Sequence, residues 1–175
     1  LGFHLPENFN RPYAATSIGE FWRRWHITYS QWLRDYVYFS LGGSRAGSVR
    51  TYLNLFLTFL LGGLWHGARW GYGAWGAIHG LGLVAYKILL DVRRARGREA
   101  AAPPHFAWVA LGWAATFHVC VFARVFFRAR DVEPAWRYLE GIVAFRGLGQ
   151  GLDPVVAAPR ADRGAKSART LAENR

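Results

Sequence analysis

The sequence predicts an all-α integral membrane protein in which an interfacial amphipathic helix precedes transmembrane helices and a short or re-entrant segment. Apolar residues make up 52% of the 175 residues, and they are concentrated in long blocks separated by basic stretches. Mean hydropathy is only +0.02, because a basic linker and a polar C-terminal stretch offset those blocks. A soluble domain of this length could also bury a core. The distribution of the apolar residues, not the length of the chain, therefore favours a membrane.

The first element is an amphipathic helix predicted over residues 16–41. It opens with a capping box, in which the Ser17 hydroxyl accepts from the Glu20 N–H and the Glu20 carboxylate accepts from the Ser17 N–H. One helix face then carries apolar residues at i, i+3, i+4 and i+7 spacing: Ile18, Phe21, Trp22, Trp25, Tyr29, Trp32, Leu33 and Tyr36. The density of Trp and Tyr favours the membrane interface over the alternative, an amphipathic helix on a soluble core. Gly42 and Gly43 supply the helix stop.

Three apolar stretches follow this helix. Residues 51–67 are marginally short for a hydrocarbon core of about 30 Å, and Gly62-Gly63 interrupts them, so we predict a short or re-entrant segment. Residues 70–90 and 106–127 are predicted to span the membrane. Glycines repeated through the first of these two spans permit close helix packing.

The ends of the apolar region define the predicted domain. The arginine-rich residues 91–99 are predicted to form a cytoplasmic loop between the two spans. We assign residues 1–146 to one membrane domain and predict a disordered basic tail over 147–175, which is rich in Gly, Ala, Pro and charge. Because the chain contains no Met and opens without a signal peptide, we interpret it as a fragment lacking its N-terminal half or as a truncated gene product.

Charge and cysteine usage exclude several classes of function. The formal net charge is +11, but the basic residues lie beside apolar blocks instead of forming one stripe on a polar domain. This arrangement predicts membrane lipids as partners and no nucleic acid. The single cysteine, Cys120, excludes an intrachain disulfide and a cysteine-based zinc site. The sequence also has no P-loop, no G-x-S-x-G elbow and no H-E-x-x-H motif.

Histidines carry the chemical interest of the apolar region. An ionisable group at membrane depth is costly, so His26, His66 and His79 are each candidate functional residues. For each of them a structural, hydrogen-bonded role is the alternative. His66 is the strongest candidate, because glycines on both sides of the Trp65-His66 pair let backbone and substrate approach the imidazole closely. The spacings of the three histidines match no standard ligand pattern, so we predict no metal site.

A neutral imidazole at His66 can accept the proton of a hydroxyl that attacks a thioester or ester carbonyl. Desolvation is expected to lower the pKa of His66 and to keep the ring a base at neutral pH. The attacked carbonyl oxygen gains negative charge and needs a donor nearby. Asn54, the Trp65 indole N–H and Arg69 are the candidates for this donor or orienting role. Helical phase does not choose among them if the glycines at 62 and 63 reset the register.

Longer motifs give the chain a family resemblance. They are Leu5-Pro6-Glu7-Asn8-Phe9-Asn10-Arg11-Pro12-Tyr13, Glu20-Phe21-Trp22-Arg23-Arg24-Trp25-His26-Ile27-Thr28, Trp32-Leu33-Arg34-Asp35-Tyr36-Val37-Tyr38, Leu61-Gly62-Gly63-Leu64-Trp65-His66-Gly67, Trp75-Gly76-Ala77-Ile78-His79-Gly80 and Arg124-Val125-Phe126-Phe127-Arg128-Ala129. Together these motifs resemble the membrane-bound O-acyltransferase family. The likeness is to the bacterial branch that contains alginate O-acetyltransferases and the D-alanyl transfer proteins of teichoic acids. It runs from about residue 3 to 130, and we interpret the chain as a C-terminal part of such a protein.

The resemblance implies roles for the histidines and for the whole protein. His66 would be the catalytic residue and His26 a supporting one, whereas His79 would be structural or line a channel. The parent protein would be a multi-pass O-acyltransferase of the bacterial inner membrane. It would bind no cofactor, and it would take acetyl-CoA or an acyl-carrier thioester as its acyl donor. It would transfer acetyl groups for O-acetylation of alginate or a similar exopolysaccharide, with a periplasmic partner protein completing transfer to the polysaccharide acceptor.

Alternatives to this function stay open at the level of the sequence. The acyl group could be D-alanyl or another acyl, moved to a different cell-envelope polymer. A non-catalytic membrane conduit or scaffold lined by the histidines is the alternative without chemistry. Family members are much longer than this chain, so a fragment of this length is expected to be inactive on its own.

Overall fold

The computed structural model describes residues 2, 5–97, 105–129 and 131–144, and the predicted tail over 147–175 lies outside them. No strand is assigned within these residues, where one isolated bridge pairs Phe9 with Trp25. The α-helices are α1 (Ile18–Arg24), α2 (Ile27–Trp32), α3 (Ser48–Trp65), α4 (Trp70–Ala95), α5 (Phe106–Arg128) and α6 (Val132–Val143). The all-α prediction is confirmed.

Helices α3, α4 and α5 pack in antiparallel succession. A short turn joins α3 to α4, and the beginning of α4 meets the end of α5, since a Cβ placed on Gly71 would lie 2.6 Å from the Phe126 carbonyl oxygen. Farther along, a Cβ on Gly82 would lie 3.6 Å from Ile18 and 3.8 Å from Val119. The end of α3, the start of α4 and the end of α5 consequently meet at one end of the bundle.

Glycines set the contact between α3 and α4. A Cβ on Gly63 would lie 2.3 Å from the Tyr72 carbonyl oxygen, and a Cβ on Gly76 would lie 2.4 Å from the Phe59 carbonyl oxygen. The two glycines also face each other, because each imagined Cβ is 3.0 to 3.1 Å from the Cα of the other. Only residues without a side chain allow the backbones to approach this closely, as the glycine-rich sequence of α4 predicts.

Helix α3 is continuous, unlike the interrupted segment that Gly62-Gly63 suggested. Both glycines lie inside the helix Ser48–Trp65 and are buried. They serve packing instead of a break, because Leu33 lies 3.0 Å from an imagined Cβ on Gly62. The 18 residues of α3 correspond to about 27 Å of helix, slightly less than a hydrocarbon core of about 30 Å.

Two described helices, α4 and α5, are long and apolar enough to cross a membrane. Helix α5 agrees with the predicted span 106–127 to within one residue. Helix α4 continues beyond the predicted 70–90 as far as Ala95, so Arg93 and Arg94 belong to its last turn and not to a loop. Cations there interact favourably with the C-terminal end of the helix dipole, which accounts for the extension. Residues 98 and 99 of the predicted loop lie outside the described residues.

The predicted interfacial helix over 16–41 is divided into several elements. Helix α1 ends at Arg24, and His26 adopts a left-handed backbone with φ 46° before α2 begins. The Asn8 side chain stabilises the new start, because its Oδ1 accepts from the Thr28 N–H at 3.1 Å and from the Thr28 hydroxyl at 2.8 Å. Asn8 therefore caps α2 from outside the helix, a long-range contact that helical periodicity does not reveal.

Beyond α2 the chain changes helical type before it turns. A π-helix spans Leu33–Tyr38, a form that is rare and usually short. The predicted stop is present, because Gly42 and Gly43 have φ values of 100° and 58°. That left-handed region favours glycine.

The start of α1 follows the predicted capping box in one half only. The Ser17 hydroxyl accepts from the Glu20 N–H at 3.2 Å, as predicted. The Glu20 carboxylate does not return to Ser17. It accepts instead from the N–H and hydroxyl of Thr16 at 2.8 and 3.0 Å. The Thr16 hydrogen bonds and the Arg24 guanidinium hold the pKa of Glu20 below its ordinary value.

The core lies between α1 and the α3–α4 pair. Phe21 and Trp22 of α1 are buried together with Phe59 of α3 and Trp75 of α4. The Trp22 ring meets Phe59 at 4.6 Å and Trp75 at 5.8 Å between centroids, in edge-to-face geometry. Such pairs add to the burial of apolar area, so the first part of the predicted aromatic face packs against protein, whereas Trp32 and Tyr36 are 46% and 68% exposed.

A final helix, α6, was not predicted from the sequence. Its N-cap is Asp131, whose carboxylate accepts from the Val132 N–H at 2.8 Å. Ala135 is fully buried against the bundle, whereas Trp136 on the same helix is 55% exposed. The basic residues around its start obscured the helical pattern, although the acidic cap is a recognised start signal.

Candidate active site

His66 lies where α3 ends, α4 begins and α5 ends. It is the C-cap residue of α3, and its side chain is half-buried. Five aromatic rings have centroids within 6.0 Å of the imidazole centroid: Phe127 and Trp65 at 5.0 Å, Trp75 at 5.5 Å, and Tyr29 and Tyr72 at 6.0 Å. Aromatic walls of this kind exclude water from part of the imidazole surface.

The backbone of the α3–α4 turn fixes the position of His66. The His66 N–H donates to the Gly63 carbonyl at 3.1 Å, and the Gly67 N–H donates to the Leu64 carbonyl at 3.1 Å. Gly67 has φ 146°, and a Cβ there would lie 3.1 Å from the Tyr72 ring. The glycine after His66 is thus required both by the turn and by the close approach of Tyr72.

Tyr29 connects His66 to His26. Its hydroxyl donates to the Gly62 carbonyl in the last turn of α3 at 2.8 Å. Its ring lies 5.1 Å from the His26 ring, 5.0 Å from the Trp65 ring and 6.0 Å from the His66 ring, between centroids. Burial raises the pKa of Tyr29 to about 12, so the hydroxyl keeps its proton and remains a donor.

His26 lies on the other side of Tyr29 in a strained backbone position. Its φ of 46° is unusual for a residue with a side chain, and such strain concentrates at functional sites. The His26 Nδ1 atom is buried, and it has no hydrogen-bond partner among the described residues. A buried polar atom without a partner is costly. It therefore marks a position that a ligand or water can satisfy.

The electrostatic environment of His66 favours the neutral imidazole. His66 lies outside α4 and α5, the two described helices that could span a membrane. Burial lowers the pKa of His66, and the nearby His26 lowers it further. None of the hydrogen bonds within the described parts of the chain involves the His66 ring. The direction of this shift agrees with the sequence-based expectation for His66.

A cavity of about 710 Å³ opens where α4 begins and α5 ends, and His66 is not among the residues that line it. It is lined by Arg69, Tyr72, Phe127, Arg128 and Ala129. Tyr72 and Phe127, whose rings are 4.9 Å apart between centroids, belong both to this cavity and to the aromatic surroundings of His66. The cavity therefore reaches the neighbourhood of the imidazole from the side of Arg69 and Arg128.

The structure separates the three predicted orienting residues. Trp65 contacts His66, and its side chain is 62% exposed. Arg69 precedes α4 and lines the cavity. Asn54 lies about 18 Å along α3 from His66 and is buried. Its amide donates to the Leu41 carbonyl at 3.0 Å and to the Gly43 carbonyl at 2.9 Å, so it holds the turn after the π-helix.

His79 lies on α4 in the buried core and is not among the residues that line the cavity. It is 2% exposed, and its Nδ1 accepts from the Trp22 indole N–H at 3.3 Å. Its ring stacks on Phe21 at 6.0 Å and meets Trp75 at 4.9 Å between centroids. These contacts agree with the structural role among those considered for His79, because a buried imidazole needs such partners.

Several residues of the site were not identified from the sequence. Tyr29, Tyr72 and Phe127 are aromatic residues in aromatic-rich helices, where nothing distinguishes them from core residues. The only local signal is the i, i+3 spacing of His26 and Tyr29. Among the described residues, no group of three or more His, Cys, Asp or Glu could hold a metal ion.

The described residues form an all-α bundle with two helices long and apolar enough to cross a membrane, and with a half-buried histidine where three helix ends meet. Residues 1–129 of the chain match the family model of the membrane-bound O-acyltransferases. The chain belongs to this family, and the resemblance seen in its motifs is confirmed.

Individual relatives agree with the bacterial branch. The chain is 50% identical to the probable alginate O-acetylase of Pseudomonas aeruginosa over 145 residues, which is 83% of this chain and 26% of that protein. It is 46% identical to the peptidoglycan O-acetyltransferase of Helicobacter pylori, covering 82% of this chain and 26% of that protein. It is 30% identical to the teichoic acid D-alanyltransferase of Streptococcus thermophilus, covering 73% of this chain and 34% of that protein. The chain thus spans about a quarter to a third of the length of these relatives.

Proposed function

We propose that this chain carries the acyl-transfer centre of a membrane-bound O-acetyltransferase, with His66 as the general base. The observation that supports it most directly is the half-buried His66 imidazole, whose aromatic neighbours Tyr72 and Phe127 line a cavity and whose pKa is lowered by burial and by His26. A base of this kind must be neutral at the working pH in order to accept a proton. Membership of the family supplies the class of reaction.

The proposed reaction moves an acyl group from a thioester to a hydroxyl. The hydroxyl oxygen of the acceptor attacks the carbonyl carbon while a His66 nitrogen takes the hydroxyl proton. The C–O ester bond forms, the C–S bond breaks, and the imidazolium returns its proton to the departing thiolate. Proton transfer of this type typically contributes about 10²–10⁴-fold to the rate. The aromatic rings around His66 limit side reaction with water by shielding the acyl group.

His26 has a supporting role in this proposal. Its unpartnered Nδ1 is available to a substrate oxygen, either as a donor to the acyl carbonyl or as an acceptor from the attacking hydroxyl, depending on the tautomer. Trp65 and Arg69 remain candidates for orienting the substrate, since one contacts His66 and the other lines the cavity. Asn54 is assigned to holding the turn at 41–43 and not to the chemistry.

The whole protein is proposed to work at the bacterial inner membrane. Its donor would be acetyl-CoA or an acyl-carrier thioester, and no bound cofactor is needed for this chemistry. Its acceptor would be alginate or a similar exopolysaccharide, reached through a periplasmic partner protein that completes transfer. The names of the alginate and peptidoglycan relatives support acetyl transfer to an envelope polysaccharide.

The test is polysaccharide O-acetylation in cells that lack the native transferase. The full-length parent gene is supplied either intact or carrying His66→Ala, with matched membrane levels. We expect the intact gene to restore acetylation and His66→Ala to reduce it by at least about 100-fold. His118→Ala is the matched control, because His118 is exposed on α5 and its ring contacts the Ala114 carbonyl and the Phe117 ring of the same helix. Normal acetylation with His66→Ala would remove His66 from the chemistry.

D-alanyl transfer is the second candidate, and the teichoic acid D-alanyltransferase relatives support it. It keeps the role of His66 and changes the acyl group and the acceptor. Measurement of D-alanyl esters in the same cells separates the two, because only one ester type should depend on the intact gene. A conduit or scaffold without chemistry would tolerate His66→Gln, which keeps a polar side chain but removes the base.

A further inference from the structure

Two cations, Arg69 and Arg128, line the cavity near His66. Arg69 is the residue before α4, and Arg128 is the last residue of α5. Both line the cavity of about 710 Å³ together with Tyr72 and Phe127. The antiparallel packing of α4 and α5 brings these two arginines, which are 59 positions apart in sequence, to one opening.

Neither guanidinium has a carboxylate partner in the described parts of the chain. Four other cations of the described residues do pair with an acid: Arg24 with Glu20, Arg34 with Asp35, Lys87 with Asp91 and Arg137 with Glu133. The described residues that line the cavity include no acid either. Two cations that share a cavity repel each other, so an anion between them is stabilised by both.

We propose that Arg69 and Arg128 form an anion-binding subsite that holds a phosphate or carboxylate group of the substrate beside His66. Guanidinium groups bind both anions through paired N–H donors. The proposal rests on the proposed acyl transfer for the identity of the substrate, but not for the binding of the anion. It assigns to Arg69 a binding role, in place of a donor role at the reacting carbonyl.

The position of the subsite connects it to the reaction. Tyr72 and Phe127 line the cavity, and their rings lie 6.0 and 5.0 Å from the His66 ring between centroids. A cavity of about 710 Å³ is within the size range of small-molecule sites, about 300–1,000 Å³. A group held by the arginines therefore belongs to a molecule whose other end can reach the imidazole.

The anion can come from either substrate. A coenzyme or carrier thioester carries phosphate groups. The polymers in the relatives' names, alginate, peptidoglycan and teichoic acid, carry carboxylate or phosphate groups. The chemistry recognised by the arginines is the same in both cases, so the experiment needs a separate arm for each source.

The experiment measures binding to the purified full-length parent protein in nanodiscs of neutral lipid. The donor arm compares coenzyme A with pantetheine, which has the same thiol arm without the phosphates. The acceptor arm compares a short uronate oligosaccharide with a neutral oligosaccharide of equal length. The variants are Arg69→Gln and Arg128→Gln, and Arg137→Gln is the control because Arg137 lies on α6 and is paired with Glu133. Dissociation constants come from titration calorimetry.

We expect Arg69→Gln and Arg128→Gln each to raise the dissociation constant of one anionic probe by about tenfold or more, the effect of losing one charge-assisted interaction. The uncharged probes and the Arg137→Gln protein should show no change. The anion that responds identifies the donor or the acceptor as its source. Added salt should weaken that anion on the unmodified protein, which provides a second measurement if a variant does not fold.

The proposal is overturned if both anions bind the cavity variants as tightly as the unmodified protein, or if neither anion binds the unmodified protein. Binding is measured in parallel on His66→Ala, which should retain it. If His66→Ala keeps its acyl-transfer activity in cells while the arginine variants lose anion binding, the general-base assignment fails and the subsite stands. If His66→Ala loses activity while the arginine variants bind the anions unchanged, the general-base assignment stands and the subsite fails.

Discussion

At the scale of single residues, the Tyr29 hydroxyl has the most informative contact. It holds the last turn of α3 through the Gly62 carbonyl at 2.8 Å, and its ring separates His26 from His66. Tyr29→Phe removes the hydroxyl and leaves a buried carbonyl with one partner fewer, which typically costs about 1–3 kcal/mol. We expect lower thermal stability and a several-fold lower kcat in the full-length enzyme, with little change in KM. Thermal unfolding and steady-state kinetics measure these effects.

The matched control for Tyr29 is Tyr38→Phe. The Tyr38 hydroxyl pairs with the exposed Ser44 hydroxyl at 2.7 Å, away from the histidines. Its loss should cost little stability and no activity. If Tyr29→Phe were as stable and as active as Tyr38→Phe, the hydrogen bond to Gly62 would have no part in positioning His66.

The lowered pKa of His66 predicts the pH dependence of acyl transfer. A general base works in its neutral form, so activity is lost as the pH falls through the pKa of the folded protein. Because burial and His26 lower that pKa from 6.5, the acidic limb of kcat/KM should have its midpoint below 6.5. His26→Gln removes one cause of the lowering and should move the midpoint upward. A midpoint above 6.5 in the unmodified enzyme would contradict this assignment.

The sequence singled out the histidines as candidates, but it did not identify the aromatic residues around them. The glycines on both sides of Trp65-His66 are visible in the local sequence, and Gly67 has the positive φ that the turn requires. The contact of Tyr29 with Gly62 joins positions 33 residues apart and depends on the break at His26. Asn54 was a candidate for the donor or orienting role near His66. Its amide instead satisfies carbonyl groups at the other end of α3.

At the scale of helices, the contact between α3 and α4 depends on missing side chains. Gly76→Ala places a Cβ about 2.4 Å from the Phe59 carbonyl oxygen, and this backbone atom moves only if the helices separate. We expect a loss of about 1–3 kcal/mol or more, as for an overpacked core, and displacement of the α3–α4 turn that carries His66. Thermal unfolding and acyl-transfer activity of the full-length protein report both effects.

Gly82→Ala is the control on the same helix. The nearest atom to its Cβ would be 3.6 Å away, which is ordinary contact, and alanine favours a helix over glycine by about 1 kcal/mol. This variant should therefore be as stable as the unmodified protein or more stable. Equal loss of stability in both variants would mean that helix packing at Gly76 is not the cause.

Local apolar composition predicted α5 and the start of α4, and it missed the last turn of α4 and the division of residues 16–41. Helix α5 is a continuous apolar run, so its boundaries are encoded locally. The break between α1 and α2 comes from Asn8, which caps Thr28 from 20 positions away. A propensity-based reading cannot anticipate such a cap, because the residues on both sides of His26 continue the helical spacing of aromatic side chains.

At the scale of the whole molecule, the exposed apolar surface needs a covering. Only 22% of the 18-residue apolar stretch of α4 is buried, and only 17% of the corresponding stretch of α5. Large apolar side chains on α5 are open to the surroundings, with Trp108 at 68% and Leu111 at 57% exposure. Surfaces of this extent lie against lipid or against further protein. The chain spans about a quarter of the length of its alginate-type relatives, so both coverings are consistent with one membrane domain.

This surface predicts how the chain of 175 residues behaves when it is expressed on its own. It should remain in the membrane pellet after an alkaline wash, because α4 and α5 hold it there, but it should transfer no acyl group.

Val121→Arg places a charge on the exposed apolar face of α5, where Val121 is 44% exposed. A central charge costs about 2.5–3.5 kcal/mol on insertion, so this variant should be retained less well, whereas Arg137→Lys on α6 should behave like the unmodified chain. Recovery of the unmodified chain in the wash supernatant would contradict the assignment of α4 and α5 to the bilayer. Acyl transfer by the chain alone would show that it contains a complete site.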